Sequence, residues 1–346
     1  MSKIIMRKRT MDIPLIQGGM GVGISLSNLA GNVAKLGGMG TISGVNPGYR
    51  SPNFMKNPLE ENCKALKEEI KKAKEIAKGK GLVAVNLMYA IENYKDMVKA
   101  AVEGGADAIV SGAGMPINLP EFAGENILLA PIVSSKRALR IIHKAWTQRY
   151  NRFMDFIVVE GPLAGGHLGF KEKDLEKADL NQILMEVVEW VEDLEKETGH
   201  RIPIFAAGGI RNSEKRDELM KLGADGIQVG TPFIVTEECD ADIAFKETVR
   251  MAKEEDLEII QSPVGMPARA IRNKFIQDLE EEKTRKKTCV KCLKTCEPAT
   301  SPYCIARALG QSAKGKKGLV FSGAKIEDLN EIVRVKDVVG KLMEEV

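Results

Sequence analysis

Short runs of apolar, largely β-branched residues alternate along most of this chain with longer stretches whose apolar positions recur at helical spacing. The short runs predict eight strands: Ile13–Ile16, Met39–Ile42, Leu82–Leu87, Ala108–Ser111, Ile127–Val133, Phe156–Val159, Ile202–Ala206 and Gly226–Val229. The longer stretches predict helices over Leu26–Leu36, Leu59–Ala77, Asn93–Glu103, Lys136–Arg149, Leu180–Thr198, Ser213–Leu222 and Ala241–Lys253, with only a short one, Leu119–Phe122, between the fourth and fifth strands. Nearly unbroken apolar strands are buried on both faces, as a parallel sheet covered by helices requires. Eight such units in about 240 residues have the size of a (β/α)8 TIM barrel.

A doubly wound open sheet would show the same alternation. The glycines favour the barrel. They cluster just after the strands, at Gly18–Gly19, Gly112 and Gly114, Gly161, Gly165–Gly166, Gly208–Gly209 and Gly230. In a barrel these loops converge on one face, where glycine lets backbone amides approach a ligand closely.

Beyond about Met266 the pattern changes to a charged helical run, Ile276–Lys287, a cysteine-bearing loop, Cys289–Cys304, and a last helical pattern, Ile326–Val346. The expected organisation is a barrel over 10–275 and a small helical, cysteine-containing extension over 276–346 packed on it. The charge run Asp278–Lys283 reads as a solvated helix face.

Composition narrows the partners. The 51 basic and 48 acidic residues leave a net charge of +3, too small a field to argue for nucleic acid or an anionic membrane. The N-terminus lacks the apolar run of a signal peptide, and no stretch approaches the roughly 20 apolar residues of a membrane span. A cytoplasmic protein with a small-molecule substrate is the expectation; a homodimer is compatible with the sequence, though nothing in it requires one.

Two glycine loops point to a phosphate. Ala207-Gly208-Gly209-Ile210 follows the seventh strand and Gly230-Thr231-Pro232 the eighth, where backbone amides in barrels commonly cradle an anion. At the first strand, Gln17-Gly18-Gly19-Met20 brings amide donors and a thioether to the mouth. Asn86 ends an apolar strand with an amide that needs partners, which a cofactor or neighbouring loops would supply.

The sharpest site follows the sixth strand, at Glu160-Gly161-Pro162-Leu163-Ala164-Gly165-Gly166-His167. His167 should project from this loop into the barrel mouth, where imidazole is suited to moving a proton near neutral pH. Glu160 either orients it or ends the strand. The other two histidines, His143 and His200, read as surface residues.

Taken together and in order, Gln17-Gly18-Gly19-Met20, Val85-Asn86-Leu87-Met88, Ser111-Gly112-Ala113-Gly114, Ala164-Gly165-Gly166-His167, Ala207-Gly208-Gly209-Ile210 and Gly230-Thr231-Pro232-Phe233 resemble the nitronate monooxygenase (2-nitropropane dioxygenase) family and its relatives, the flavin-dependent enoyl-acyl carrier protein reductases. The resemblance runs from about Pro14 to Asn273. It implies FMN, with Gln17, Gly18, Met20, Asn86 and Gly114 near the ring or ribityl chain and Gly165, Gly208, Gly209, Gly230 and Thr231 nearer the phosphate. Ser135 and Lys136 are weaker candidates. It also implies an oxidoreductase in which His167 acts on either of two substrates. One is an alkyl nitronate, denitrified with oxygen to a carbonyl compound and nitrite; the other is an enoyl thioester reduced with NAD(P)H. A flavin- or nucleotide-binding sensor without turnover is the third reading, and a titrating group at the mouth weighs against it.

Cys289, Cys292, Cys296 and Cys304 are spaced C-x2-C-x3-C-x7-C in a chain with six cysteines. Four soft ligands at this spacing suit an iron–sulfur cluster or, alternatively, zinc. Free thiols are the other reading.

Overall fold

The computed structural model describes residues 3–281 and 289–344. Eight parallel strands close into a barrel: Leu15–Gln17, Met39–Ser43, Leu82–Met88, Ala108–Gly112, Leu128–Val133, Ile157–Glu160, Ile204–Ala207 and Gly226–Val229. Each lies within two residues of its expected limits, and the predicted helices are present, including the short one at Leu119–Ala123. The open-sheet alternative is excluded by the pairing of the eighth strand with the first, Ile227 opposite Leu15.

Alternation along the strands divides the core in two. In the third strand Leu82 and Ala84 point into the barrel, whereas Val83, Val85 and Leu87 pack under the helices. Phe156 and Phe205 meet edge to face at 5.7 Å inside the barrel, an arrangement that adds to plain area burial. The N-terminal end is closed by a hairpin that the hydrophobic pattern had not revealed, Ile4–Met6 paired with Arg9–Met11. Its Ile4, Met6 and Met11 join the interior cluster. Its Arg7 and Arg9 pair with Asp155 and Asp107, two buried carboxylates that also accept the Leu129 and Val83 amides.

At the opposite end lies a second unpredicted element, a three-stranded antiparallel sheet of Leu257–Gln261, Pro267–Ile271 and the two-residue strand Gly166–His167. The C-terminal segment then crosses the barrel mouth, with helices at Lys274–Glu281, Ile305–Ser312 and Val335–Met343. The end of the predicted run Ile276–Lys287 and the last two residues of Ile326–Val346 lie outside the described residues. Among the described residues no helix is long and apolar enough to cross a membrane.

Candidate active site at the barrel mouth

The loops after the strands enclose a cavity of about 230 Å³ at the C-terminal end of the barrel. Gly18, Met20, Asn86, Gly165, His167, Gly208, Gly209, Gly230 and Thr231 all line it. Asn86 reaches the Val110 carbonyl at 3.4 Å, a long bond that leaves its amide available to a ligand.

Gln17 and Gly114 stand apart from this wall, in contrast to the expectation for them. The Gln17 side chain is fully buried between strands, accepting the Thr41 amide at 3.0 Å and donating to the Gly18 and Thr41 carbonyls. Its polar groups are consumed in joining the first two strands. Gly114 packs against the Tyr89 ring instead. Ser135 caps the helix Lys136–Tyr150 and Lys136 pairs with Glu189, so both serve the fold.

Backbone conformation explains the loop after the seventh strand. Gly208 has φ of 100° and Gly209 of 77°, a region that side chains with a Cβ rarely adopt. Both glycines of this turn line the cavity wall. Beside it Arg211 donates to the Lys325 carbonyl and pairs with Asp328, while its Nε is buried without a partner among the described residues. The Thr231 hydroxyl accepts the Gly323 amide at 2.9 Å, tying the eighth-strand loop to the C-terminal segment.

His167 is held more firmly than a loop residue would be. It sits opposite Ala268 in the accessory sheet, packs edge-on against Phe321 at 5.3 Å, and its Nε2 is 2.8 Å from the Ser262 hydroxyl. Arg269 fastens the preceding turn by donating to the Pro162 and Ala164 carbonyls. Burial lowers the imidazole pKa to about 4, so it is neutral at pH 7 rather than poised to titrate there. Burial raises the Glu160 carboxyl to about 7. Glu160 lines the same cavity, and the hydroxyl that orients His167 is Ser262 rather than Glu160.

Ser262, Arg211, Gln228, Phe321 and Lys325 were missed by the sequence reading. Only Gln228, on the Gly-Ile-Gln-Val strand, carried a legible signal, a polar residue within an apolar run. Of the other histidines, His200 is exposed, but His143 is half-buried against Phe153 and Trp190.

The cysteine loop behaves differently from expectation. Cys289 is exposed, and Cys292, Cys296 and Cys304 are half-buried free thiols. Burial, reinforced by Cys304, Cys296 and Cys289 nearby, pushes the Cys292 thiol up to about 12. Yet among the described residues no three Cys, His, Asp or Glu side chains are grouped to hold a metal ion, so neither an iron–sulfur cluster nor zinc has support. Protein contacts anchor the loop instead. Leu293 bridges to Ile91, the Glu92 amide donates to the Cys292 carbonyl, and Val290, Leu293 and Tyr303 are buried. The Lys294 ammonium lies 4.3 Å above the Tyr89 ring.

Comparison with known proteins agrees with this geometry. A probable nitronate monooxygenase of Staphylococcus saprophyticus is 26% identical over 301 residues, 78% of each chain. One from Bacillus subtilis is 23% identical across 98% of each. FabK from Thermotoga maritima superposes with a TM-score of 0.71 at 22% identity, covering 96% of this chain and 92% of its own. Nitroalkane oxidase from Streptomyces ansochromogenes gives 0.70 at 18%, covering 96% and 95%. At such identities the two structures speak for the fold. The family model described as nitronate monooxygenase matches residues 2–345, taking in barrel, accessory sheet and extension alike, and the chain therefore belongs to the nitronate monooxygenase family of oxidoreductases.

Proposed function

We propose that the chain binds FMN in the main cavity and oxidises alkyl nitronates with oxygen. The observation that carries this reading is the neutral, half-buried His167, fixed by Ser262 in the wall of a cavity that the glycine-rich loops after the seventh and eighth strands also line. The residues fit the cofactor. Gly208, Gly209, Gly230 and Thr231 offer a backbone cradle to a phosphate, and the unpartnered Arg211 Nε beside them is a buried donor in need of an acceptor. A Cβ at Gly165 would lie 2.5 Å from the Ser322 backbone, so the loop carrying His167 packs flush against the C-terminal segment. Gly18, Met20 and Asn86, which line the same cavity, would face the ring.

When bound, FMN would supply the electron-accepting chemistry that takes a nitronate to a carbonyl compound and nitrite, with oxygen as final acceptor. The protein's part is to position an anion. A nitronate arrives already deprotonated, and neutral His167 offers it a hydrogen bond without demanding a strong base. Glu160, with its carboxyl raised to about 7, is half neutral at pH 7 and repels the anion less than an ordinary carboxylate would. Phe321, packed edge-on against the imidazole, covers one side of it and narrows the approach of water.

An absorbance spectrum of the purified protein and steady-state turnover test the proposal. Oxidised-flavin bands and oxygen consumption with propyl nitronate are expected. Oxidation of NAD(P)H with an enoyl thioester, and none of nitronate, would replace the proposal with the reductase reading.

A further inference from the structure

A second, smaller pocket of about 40 Å³ adjoins the main cavity. His167 stands in the walls of both, as do Val45, Met88 and Leu309. From the barrel side it is lined by the loops after the second and third strands, with Ile91 and Met97 adding apolar surface. From the other side it is closed by the cysteine-bearing extension through Cys292, Leu293 and Leu309. Two of the asparagines at its rim are tied up locally, Asn62 donating to Asn46 at 3.2 Å and accepting the Gly48 amide at 3.0 Å; besides His167, Asn93 and Lys291 are the other polar residues of its lining. Together with the apolar side chains already named, Val22 and Val264 make most of the remaining wall apolar, and the pocket starts at the imidazole.

The lid over this pocket is anchored on the barrel loop it faces. Leu293 pairs with Ile91, the Lys294 amide and ammonium donate to the Ala90 and Tyr89 carbonyls, and the Thr295 hydroxyl donates to the Val264 carbonyl. A group entering past His167 therefore meets a fixed apolar wall with room for only a few carbon atoms.

We infer that this side pocket is the subsite for the alkyl chain of the substrate, and that the cysteine-bearing extension sets the longest chain it accepts. The inference rests on the proposed reading of the main cavity for its substrate: the nitronate group lies at His167 and the chain points under Leu293. It also gives the cysteine segment a role that needs no metal, as the roof of a specificity pocket. Short aliphatic substrates are selected, and long acyl chains are excluded.

Two measurements separate the subsite from the reaction. First, kcat/KM is measured for alkyl nitronates from ethyl to octyl. It is expected to climb by about fourfold per methylene while the chain fits and then to break. Leu293→Ala is expected to move the break to a longer chain, and Leu293→Phe to a shorter one. Second, straight-chain carboxylates from acetate to octanoate, planar anions of similar charge, are titrated against the full chain with thermal stability as the readout. The same break and the same shifts are expected there, even should nitronates prove not to be turned over. Ile91→Ala approaches the pocket from the barrel and repeats the test if the Leu293 variants fold poorly. A nitronate profile that is flat, or breaks at the same length in all variants, overturns the subsite. Lack of nitronate turnover with a shifted carboxylate break overturns the proposed reaction and leaves the subsite standing.

Discussion

Burial moves the two titratable groups of the main cavity in opposite senses, because desolvation penalises whichever form is charged. His167 falls to about 4 and Glu160 rises to about 7, which makes the carboxyl, not the imidazole, the group that ionises near neutrality. The sign follows for activity: above pH 7 the Glu160 carboxylate faces an anionic substrate, so kcat/KM should fall, and Glu160→Gln should hold its value there. It follows for stability as well. Between an unfolded value near 4.5 and a folded value near 7, the folded chain binds more protons at Glu160, so this contribution is lost as pH rises through 7. Melting curves should therefore show Glu160→Gln gaining on the parent between pH 4.5 and 7, and an unchanged difference would refute the burial argument. His167→Ala should keep the flavin spectrum while losing roughly 100-fold in turnover, the scale of removing one positioned hydrogen-bond donor to an anion. The thiols make a third residue-scale case. Cys289 is exposed whereas Cys292 is pushed up to about 12. Since the thiolate is the reactive form, iodoacetamide at pH 8 should modify Cys289 first and Cys292 last, as read by mass spectrometry. Equal protection of all four extension cysteines would instead point to a shared metal.

Among the elements, the barrel was legible because each strand carries its own signal. Val83-Ala84-Val85 or Ile157-Val158-Val159 is apolar on both faces regardless of what it pairs with. Elements that exist only by pairing with distant chain were not. Gly166–His167 is a strand solely because Pro267–Ile271 lies beside it, and Ser262 is 95 residues from the imidazole it orients. No local periodicity could show either. Gln17 misled for a related reason, since an amide ending an apolar strand reads alike whether it faces a ligand or ties two strands together. The extension misled because its lysines concealed the few apolar residues, Val290, Leu293 and Tyr303, that bury it. The accessory sheet supports a prediction of its own. Ser262→Ala removes the hydroxyl that fixes His167 Nε2 and should lower kcat by about tenfold with KM less affected, while Ser262→Thr, which keeps the hydroxyl, should recover most of the rate. Equal loss in both variants would mean that Ser262 matters only for packing.

At the scale of the molecule, one apolar cluster runs from barrel residues such as Leu15 and Ile157 through to Leu309, Val335 and Leu342 of the extension. Continuity of this kind couples the extension to the barrel and predicts that both unfold together. The last helix is fixed at its far end by Arg216, which is 2% exposed and donates to the Leu342 carbonyl at 2.8 Å and the Glu344 carbonyl at 3.0 Å. The same helix adjoins the first barrel helix, Ser27–Lys35, whose backbone amides at Leu26 and Leu29 are held by Asp240. Replacing Arg216 by alanine strands the buried Leu342 carbonyl and removes two charge-assisted bonds, a loss of about 2–3 kcal/mol and a fall of a few degrees in Tm. If the coupling is real, the barrel must report that loss although the helix lies outside it. Trp146, fully buried under the fifth strand, is the natural reporter. Its fluorescence transition and the far-ultraviolet dichroism should shift by the same few degrees and remain superimposed in Arg216→Ala. A tryptophan transition left at the parental temperature, with only the dichroism showing an earlier step, would mean that the extension melts on its own and that the cavity wall formed by Phe321–Lys325 is separable from the barrel it covers.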